Sequence, residues 1–260
     1  MKKYLIICLL LALYACAKVP ITGRRQMHML PESQLMTMAI SNYNQFLKDK
    51  PALNDTRAKK IKQIGDKISK AVNQYMIDHG HSKRIAGYNW EFNLVNDPAV
   101  NAWCMPGGKV VFYTGILPYT LNNTGIAVVM GHEIAHAIAR HGNERMSQGL
   151  ALQVGGASLQ VALSEKSEQT QNLFLQSYGL ASTIGSLKYS RKHESEADKM
   201  GLVFMALAGY NPEGAVDFWK RMSTSGGQKP PEILSTHPHD DTRIADIKAY
   251  LPEALKHYKK

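Results

Sequence analysis

Cysteine is scarce in this chain. Of 260 residues only Cys8, Cys16 and Cys104 carry a thiol. A disulfide-stapled fold is therefore excluded, and a packed core must hold the domain together. Two apolar stretches, residues 5–13 and 149–163, are too short or too polar to span a bilayer. Acidic residues are outnumbered: 31 Lys and Arg face 21 Asp and Glu, a net charge of +10. The basic residues are scattered, as at Lys59-Lys60, Lys83-Arg84 and Arg191-Lys192, with no stripe interleaved with aromatics. That excludes a nucleic-acid groove and suits a solvated surface near anionic lipid. There is no internal repeat and no low-complexity block, so a solenoid is excluded too.

Lys2 and Lys3 precede the apolar residues 5–13, which end in Leu13-Tyr14-Ala15-Cys16. A positive start, a short apolar stretch and a small residue before Cys resemble a bacterial lipoprotein signal. The expected organisation is a signal peptide over 1–15, a lipidated tether over 16–30 containing Pro20, Gly23 and Arg24-Arg25, and one folded domain over 31–260. Cys16 would be lipidated and become the mature N-terminus, and several acyl chains there would anchor the protein firmly. Ala17, rather than Asp, follows it, which favours the outer membrane, facing the periplasm. Cys104 would then be the one thiol left.

Within the domain, apolar spacing predicts helices over about 31–47 and 56–77, the latter with Ile61, Ile64, Ile68 and Val72 on one face. Residues 90–95, 101–105 and 109–113 read as short strands, with Pro106-Gly107-Gly108 as a turn. From residue 124 onward the pattern is helical, over about 126–139, 143–163, 171–187, 191–208, 212–222 and 241–250. A small sheet followed by a run of helices is an α+β pattern.

The chemistry is concentrated in His132-Glu133-Ile134-Ala135-His136. On a helix, residues four apart share a face, so both imidazoles reach one Zn²⁺. Glu133, beside the first, is positioned to take a proton from a water that the metal polarises. This is the arrangement of a peptide-bond hydrolase. His141 is an unsuitable third ligand: the metzincin pattern wants Gly and His where this chain has Ala139 and Gly142. His141-Gly142 reads instead as a helix end, with a cation and a glycine terminator. The better candidates are Glu194-Ser195-Glu196-Ala197-Asp198. On a helix Glu194 and Asp198 share a face; one could bind zinc while the other accepts the second N–H of a zinc-bound imidazole. Glu196 points the other way, and His193 lies off the face.

Five stretches together resemble the gluzincin zinc metallopeptidases that include HtpX, the CAAX prenyl protease and the BepA and LoiP type. They are Pro20 to Gln26, Asn101-Ala102 through Gly108, the H-E-x-x-H helix, Ser190-Arg191 with Glu194 to Asp198, and His237-Pro238 with Arg243. The membrane-spanning helices of HtpX and the prenyl protease have no counterpart, so the chain resembles the lipoprotein subgroup. The resemblance implies a zincin-like fold, one Zn²⁺ on His132, His136 and Glu194, and Asp198 as the partner of a zinc-bound His. It implies that Asn101, Ala102, Trp103 and Cys104 form an edge strand that pairs with an extended polypeptide substrate. Cys104 stands where a small apolar residue is usual and reads as a buried thiol. His237 and Arg243 would return to the active site as catalytic residues, a positive or donor group there stabilising the oxyanion, or His237 would instead be a fourth ligand holding a latent enzyme.

The expected function is therefore a zinc endopeptidase anchored in the bacterial envelope, acting on unfolded or misassembled envelope proteins. A catalytically weak, chaperone-like assembly factor working with the outer-membrane assembly machinery is the alternative. A lipoprotein whose zinc only staples the fold is disfavoured by the open position that three ligands leave. No nucleic-acid partner is expected. Cys16→Ser should abolish lipid attachment and release the chain from membranes or leave it unprocessed. An unchanged mass and unchanged membrane fractionation would instead indicate ordinary signal cleavage.

Overall fold

The computed structural model describes residues 16–153, 168–178, 190–224, 233, 237 and 242–259. The signal expected at 1–15, the loop at 225–231, Pro238, and the far ends of the helices expected at 143–163 and 171–187 lie outside the described residues.

The chain enters through a ribbon. Strands β1 (Cys16–Lys18) and β2 (Arg25–Met27) pair antiparallel, with Cys16 opposite Met27. The segment expected as a tether thus carries regular structure at both its ends. Its Val19 packs in the main core, and Gln26 is buried.

Helix α1 (Glu32–Asp49) buries Leu35, Met38, Ala39 and Tyr43, the i, i+3, i+4 pattern of one inward face. Helix α2 (Thr56–Asp78) is capped by Asp55, whose carboxylate accepts the Ala58 N–H at 2.9 Å. Its buried face is Ile61, Ile64, Ile68, Val72 and Met76.

Strands β3 (Glu91–Val95), β4 (Ala102–Met105) and β5 (Lys109–Tyr113) form a sheet in the order β3-β5-β4. β3 runs parallel to β5 and β4 antiparallel to it. Gly107 and Gly108, with φ of 79° and 82°, make the β4–β5 turn that residues with a Cβ resist. Every residue of β4 and β5 is buried, because helices cover both faces of the sheet. Cys104, Val110 and Phe112 face a core shared with α2 and the next helix. Trp103, Val111 and Tyr113 face a second cluster with α1.

That next helix, α3 (Asn123–Ala139), is the axis of the domain. Asn122 caps it, its side chain accepting the Gly125 N–H at 3.0 Å, and every residue from Gly125 to Ala139 is buried. It ends at Arg140, which adopts a left-handed conformation (φ 59°, ψ 37°). The terminator is therefore Arg140 and not the His141-Gly142 pair. Helix α4 (His141–Gln153) starts at once. Gly142 serves packing: a Cβ there would lie 2.1 Å from the Tyr178 ring.

Helix α5 (Glu168–Ser177) packs on α4. Helix α6 (Arg191–Leu207), capped by Ser190, packs against α3. Helices α7 (Gly214–Thr224) and α8 (Arg243–Leu255) complete the layer around them. Among the described residues no helix is long and apolar enough to cross a membrane.

α3 and α6 meet at two glycines. A Cβ on Gly131 would fall 2.7 Å from the Gly201 carbonyl oxygen, and one on Gly201 would fall 2.9 Å from the His132 backbone nitrogen. Both obstacles are backbone, so a side chain here can be accommodated only by moving a helix. Gly201→Ala should cost about 1–3 kcal/mol of stability through overpacking, read as a lower urea midpoint. An unchanged midpoint would mean that the helices can separate freely.

Candidate metal centre

α3 carries His132 and His136 one turn apart, and the glycine crossing brings the first turns of α6 up to them. His132 Nε2 and His136 Nε2 lie 3.1 Å apart. Glu194 of α6 sets Oε2 3.4 Å from His132 Nε2 and Oε1 3.3 Å from His136 Nε2. His237, from the segment before α8, adds Nδ1 at 3.2 Å from His132 Nε2 and 3.1 Å from Glu194 Oε1. The four residues are buried, and their donor atoms lie within 4.8 Å of one another.

These separations fit a zinc ion. Zinc–nitrogen and zinc–oxygen bonds of about 2.0–2.1 Å directed to tetrahedral corners separate the donors by about 3.3 Å. Three imidazole nitrogens and a carboxylate oxygen also match the ligand preference of zinc. His132, His136, Glu194 and His237 form one cluster fit to hold a single Zn²⁺.

A network behind the donors fixes them. His132 Nδ1 donates to Asp198 Oδ1 at 2.9 Å, which leaves the Nε2 lone pair facing the cluster. Asp198 in turn accepts two bonds from Arg243, from Nε and Nη2, both at 2.8 Å. Arg243 Nη1 lies 3.2 Å from Glu194 Oε2. The guanidinium also stacks on Trp219, 3.4 Å from the ring centre. Trp219 was not singled out in the sequence, because nothing in the spacing of its helix marks it apart from core aromatics.

The acidic stretch is not a solvated helix start: Glu194, Glu196 and Asp198 are all buried. Glu196 and His193 project away from the four donors, as the helical wheel requires, into a second polar cluster. His141 is there too, fully buried, and burial pulls its pKa down to about 4 against the bond to Glu196. It is a neutral imidazole rather than a helix-end cation.

Glu133 points at the same space as the donors. Its Oε1 is buried without a hydrogen bond among the described residues and faces His237 Nε2 at 3.7 Å. Burial raises its pKa. For Glu194 the balance is opposite. Burial would raise it, but the surrounding imidazoles hold it well below the usual range. His132 is driven down by burial, yet its bonds to Asp198 and Glu194 carry it up to about 9. His136, buried beside the other two imidazoles, is pushed well below its ordinary value. A divalent cation bound here would put positive charge beside Glu194 and would require each ligating imidazole to be neutral.

β4 is the outer strand of the sheet among the described residues and packs on α3. Asn101, Ala102, Trp103 and Cys104 are all buried. The Cys104 thiol is raised well above its ordinary value by burial and then by the nearby Glu133 carboxylate, so it is an unreactive thiol.

An H-E-x-x-H helix completed by a glutamate from a second helix defines a zincin-type zinc metallopeptidase domain. The chain belongs to peptidase family M48, whose model matches residues 58–251. It is 40% identical over 167 residues to the mitochondrial metalloendopeptidase OMA1 of Schizosaccharomyces pombe, covering 64% of this chain and 48% of that protein. It is 34% identical over 207 residues to OMA1 of Saccharomyces cerevisiae, covering 76% and 57%. To the beta-barrel assembly-enhancing protease of Escherichia coli it is 28% identical over 178 residues, covering 66% and 36%. The chain therefore spans about half or less of the length of most of the curated relatives it matches.

Glu194→Ala should remove most of the zinc that the wild type retains through dialysis, measured by metal analysis. Full retention would shift the ligand to another carboxylate.

Proposed function

We propose that the chain is a zinc-dependent endopeptidase of the bacterial envelope, held there by a lipid on Cys16, that cleaves unfolded or misassembled proteins. The observation that carries the reading is the buried Glu133 carboxylate facing the four-donor cluster, its Oε1 without a hydrogen bond among the described residues. Bound zinc would supply a Lewis acid that polarises the scissile carbonyl and acidifies a water. Glu133 would act as general base toward that water and then pass the proton to the departing amine. Its upward shift by burial suits both halves of that task. Asp198, held by Arg243, keeps His132 in the tautomer that offers Nε2 to the metal. Arg243, engaged by two carboxylates, serves as a positioning residue rather than as an oxyanion donor.

His237 sits among the donors, and a fourth protein ligand leaves no room for water or substrate. What supports a latent resting state is the placing of Ile233 and His237. The Ile233 N–H donates to the Val100 carbonyl at 3.0 Å, and the His237 N–H donates to the Ile233 carbonyl at 2.7 Å. His237 is thereby tied through Ile233 to the chain just before β4, where an extended substrate would begin to pair through Asn101 to Cys104. Substrate entry would displace His237 and free the coordination position in one movement. The likeness to a protease named for enhancing beta-barrel assembly supports an envelope setting, and the net charge of +10 suits an anionic membrane surface.

The test is cleavage of an unfolded protein, with and without a chelator, by three forms of the chain. Glu133→Gln should keep its zinc and lose on the order of 10²–10⁴ in kcat. His237→Ala should cleave faster than the wild type while still binding zinc. A fall of about 10²–10³ would make His237 an oxyanion donor instead. Full activity in Glu133→Gln would remove the mechanism, and polypeptide binding without chelator-sensitive cleavage in any form would favour a chaperone-like role.

A further inference from the structure

We propose that His141, Glu196 and Arg24 form a relay that positions the zinc ligand His136, so that the N-terminal β1–β2 ribbon is a supporting part of the metal centre. The relay starts at the His136 ring. Its Nε2 faces the other donors, 3.1 Å from His132 Nε2, so its Nδ1 faces backward, where it meets His141 Nδ1 at 2.9 Å. Two imidazole nitrogens this close require one proton between them. A ligand that offers its Nε2 lone pair to zinc carries its proton on Nδ1. His136 is therefore the donor and His141 Nδ1 the acceptor. The proton of His141 then belongs on Nε2, and Glu196 Oε2 lies 2.9 Å from that atom. An ionised carboxylate accepts only, so Glu196 sets both tautomers in series.

Glu196 is fixed from the ribbon. Arg24 Nε donates to its Oε2 at 2.8 Å, and the Thr22 hydroxyl donates to its Oε1. The same Arg24 guanidinium takes Glu144 through two bonds, of 2.9 and 2.7 Å. Glu144 accepts from His193 Nε2 at 3.1 Å, and the His193 ring stacks on His141 with centroids 4.5 Å apart. One side chain of the ribbon thus holds the carboxylate at the end of the relay and, through a second carboxylate, the ring stacked on its middle. The two zinc-binding imidazoles of α3 are served differently. His132 meets its carboxylate directly, whereas His136 reaches one through an interposed imidazole.

The inference rests on the metal centre and not on peptide cleavage, so zinc affinity tests it separately from activity. The full chain, purified in detergent, is titrated with zinc against a chromophoric chelator. In parallel, the zinc-loaded protein with ¹⁵N-labelled histidine reports the Nδ1–H of His136 by NMR. His141→Leu and Arg24→Ala should each weaken zinc binding, by roughly 10–100-fold for the first and by less for the second, and both should shift the His136 Nδ1–H signal. His141→Gln, whose amide oxygen can still accept that proton, should recover most of the loss. A merely structural role would lower the thermal midpoint of the metal-free protein while leaving the zinc affinity of the folded fraction unchanged. That result, or wild-type affinity in Arg24→Ala should His141→Leu not fold, would overturn the proposal. A labelled His136 whose proton sits on Nε2 in the zinc-loaded wild type would overturn it as well.

Discussion

The side-chain-free crossing of α3 and α6 governs the position of everything at the metal centre. Gly131 and Gly201 let the two backbones approach until a single Cβ would collide with a main-chain atom. His132 lies next to Gly131, and Asp198 lies one turn before Gly201 on the facing helix. Closeness at the glycines is therefore what brings an imidazole nitrogen and a carboxylate oxygen to 2.9 Å. A larger residue at either position would push the helices apart, and a displacement of about 1 Å is enough to spoil a constellation of this kind.

Such closeness buries charge, and the structure around it answers that cost with pairs. Glu194 and Asp198 are ionised in the interior, where an isolated carboxylate is strongly disfavoured. The Arg243 guanidinium binds both and lies flat on Trp219, so its positive charge has an aromatic face on one side and carboxylates on the others. A parallel arrangement exists on the opposite side of α6. There Arg24 joins Glu196 and Glu144, with His141 and His193 completing their bonds. One helix thus presents acids on two faces, and an arginine far away in the chain answers each. Removing a partner from either set would leave a buried charge alone, which costs far more than the pair contributes.

Much of the architecture was legible because it rests on local rules. The faces of α1 and α2 follow from apolar spacing, which repeats every three to four residues on one side of a helix. The α+β pattern and the order of elements emerged from the same periodicities. Two local readings failed where a long-range contact intervened. Arg140, not the neighbouring glycine, takes the left-handed turn after α3, because Gly142 is needed for the Tyr178 ring. His141 is a neutral, buried partner of His136 rather than a helix-end cation, because burial disfavours its charge even with Glu196 beside it.

By itself the sequence determined the pair of imidazoles on one helical face and the carboxylate beside them, residues within a few positions of one another whose relative directions a helix fixes; that the acidic helix completes the site followed from the family resemblance. Only the tertiary structure decided that His237 joins the donors, that Arg243 holds Asp198, that Trp219 lies beneath it, and that Arg24 reaches the far side of the centre. Those partners lie 24 to 172 residues from the groups they meet. Over such distances the chain's local geometry says nothing about direction. Their meeting is set by which helices pack together and how closely, and in this protein by the absence of two side chains at the crossing of α3 and α6.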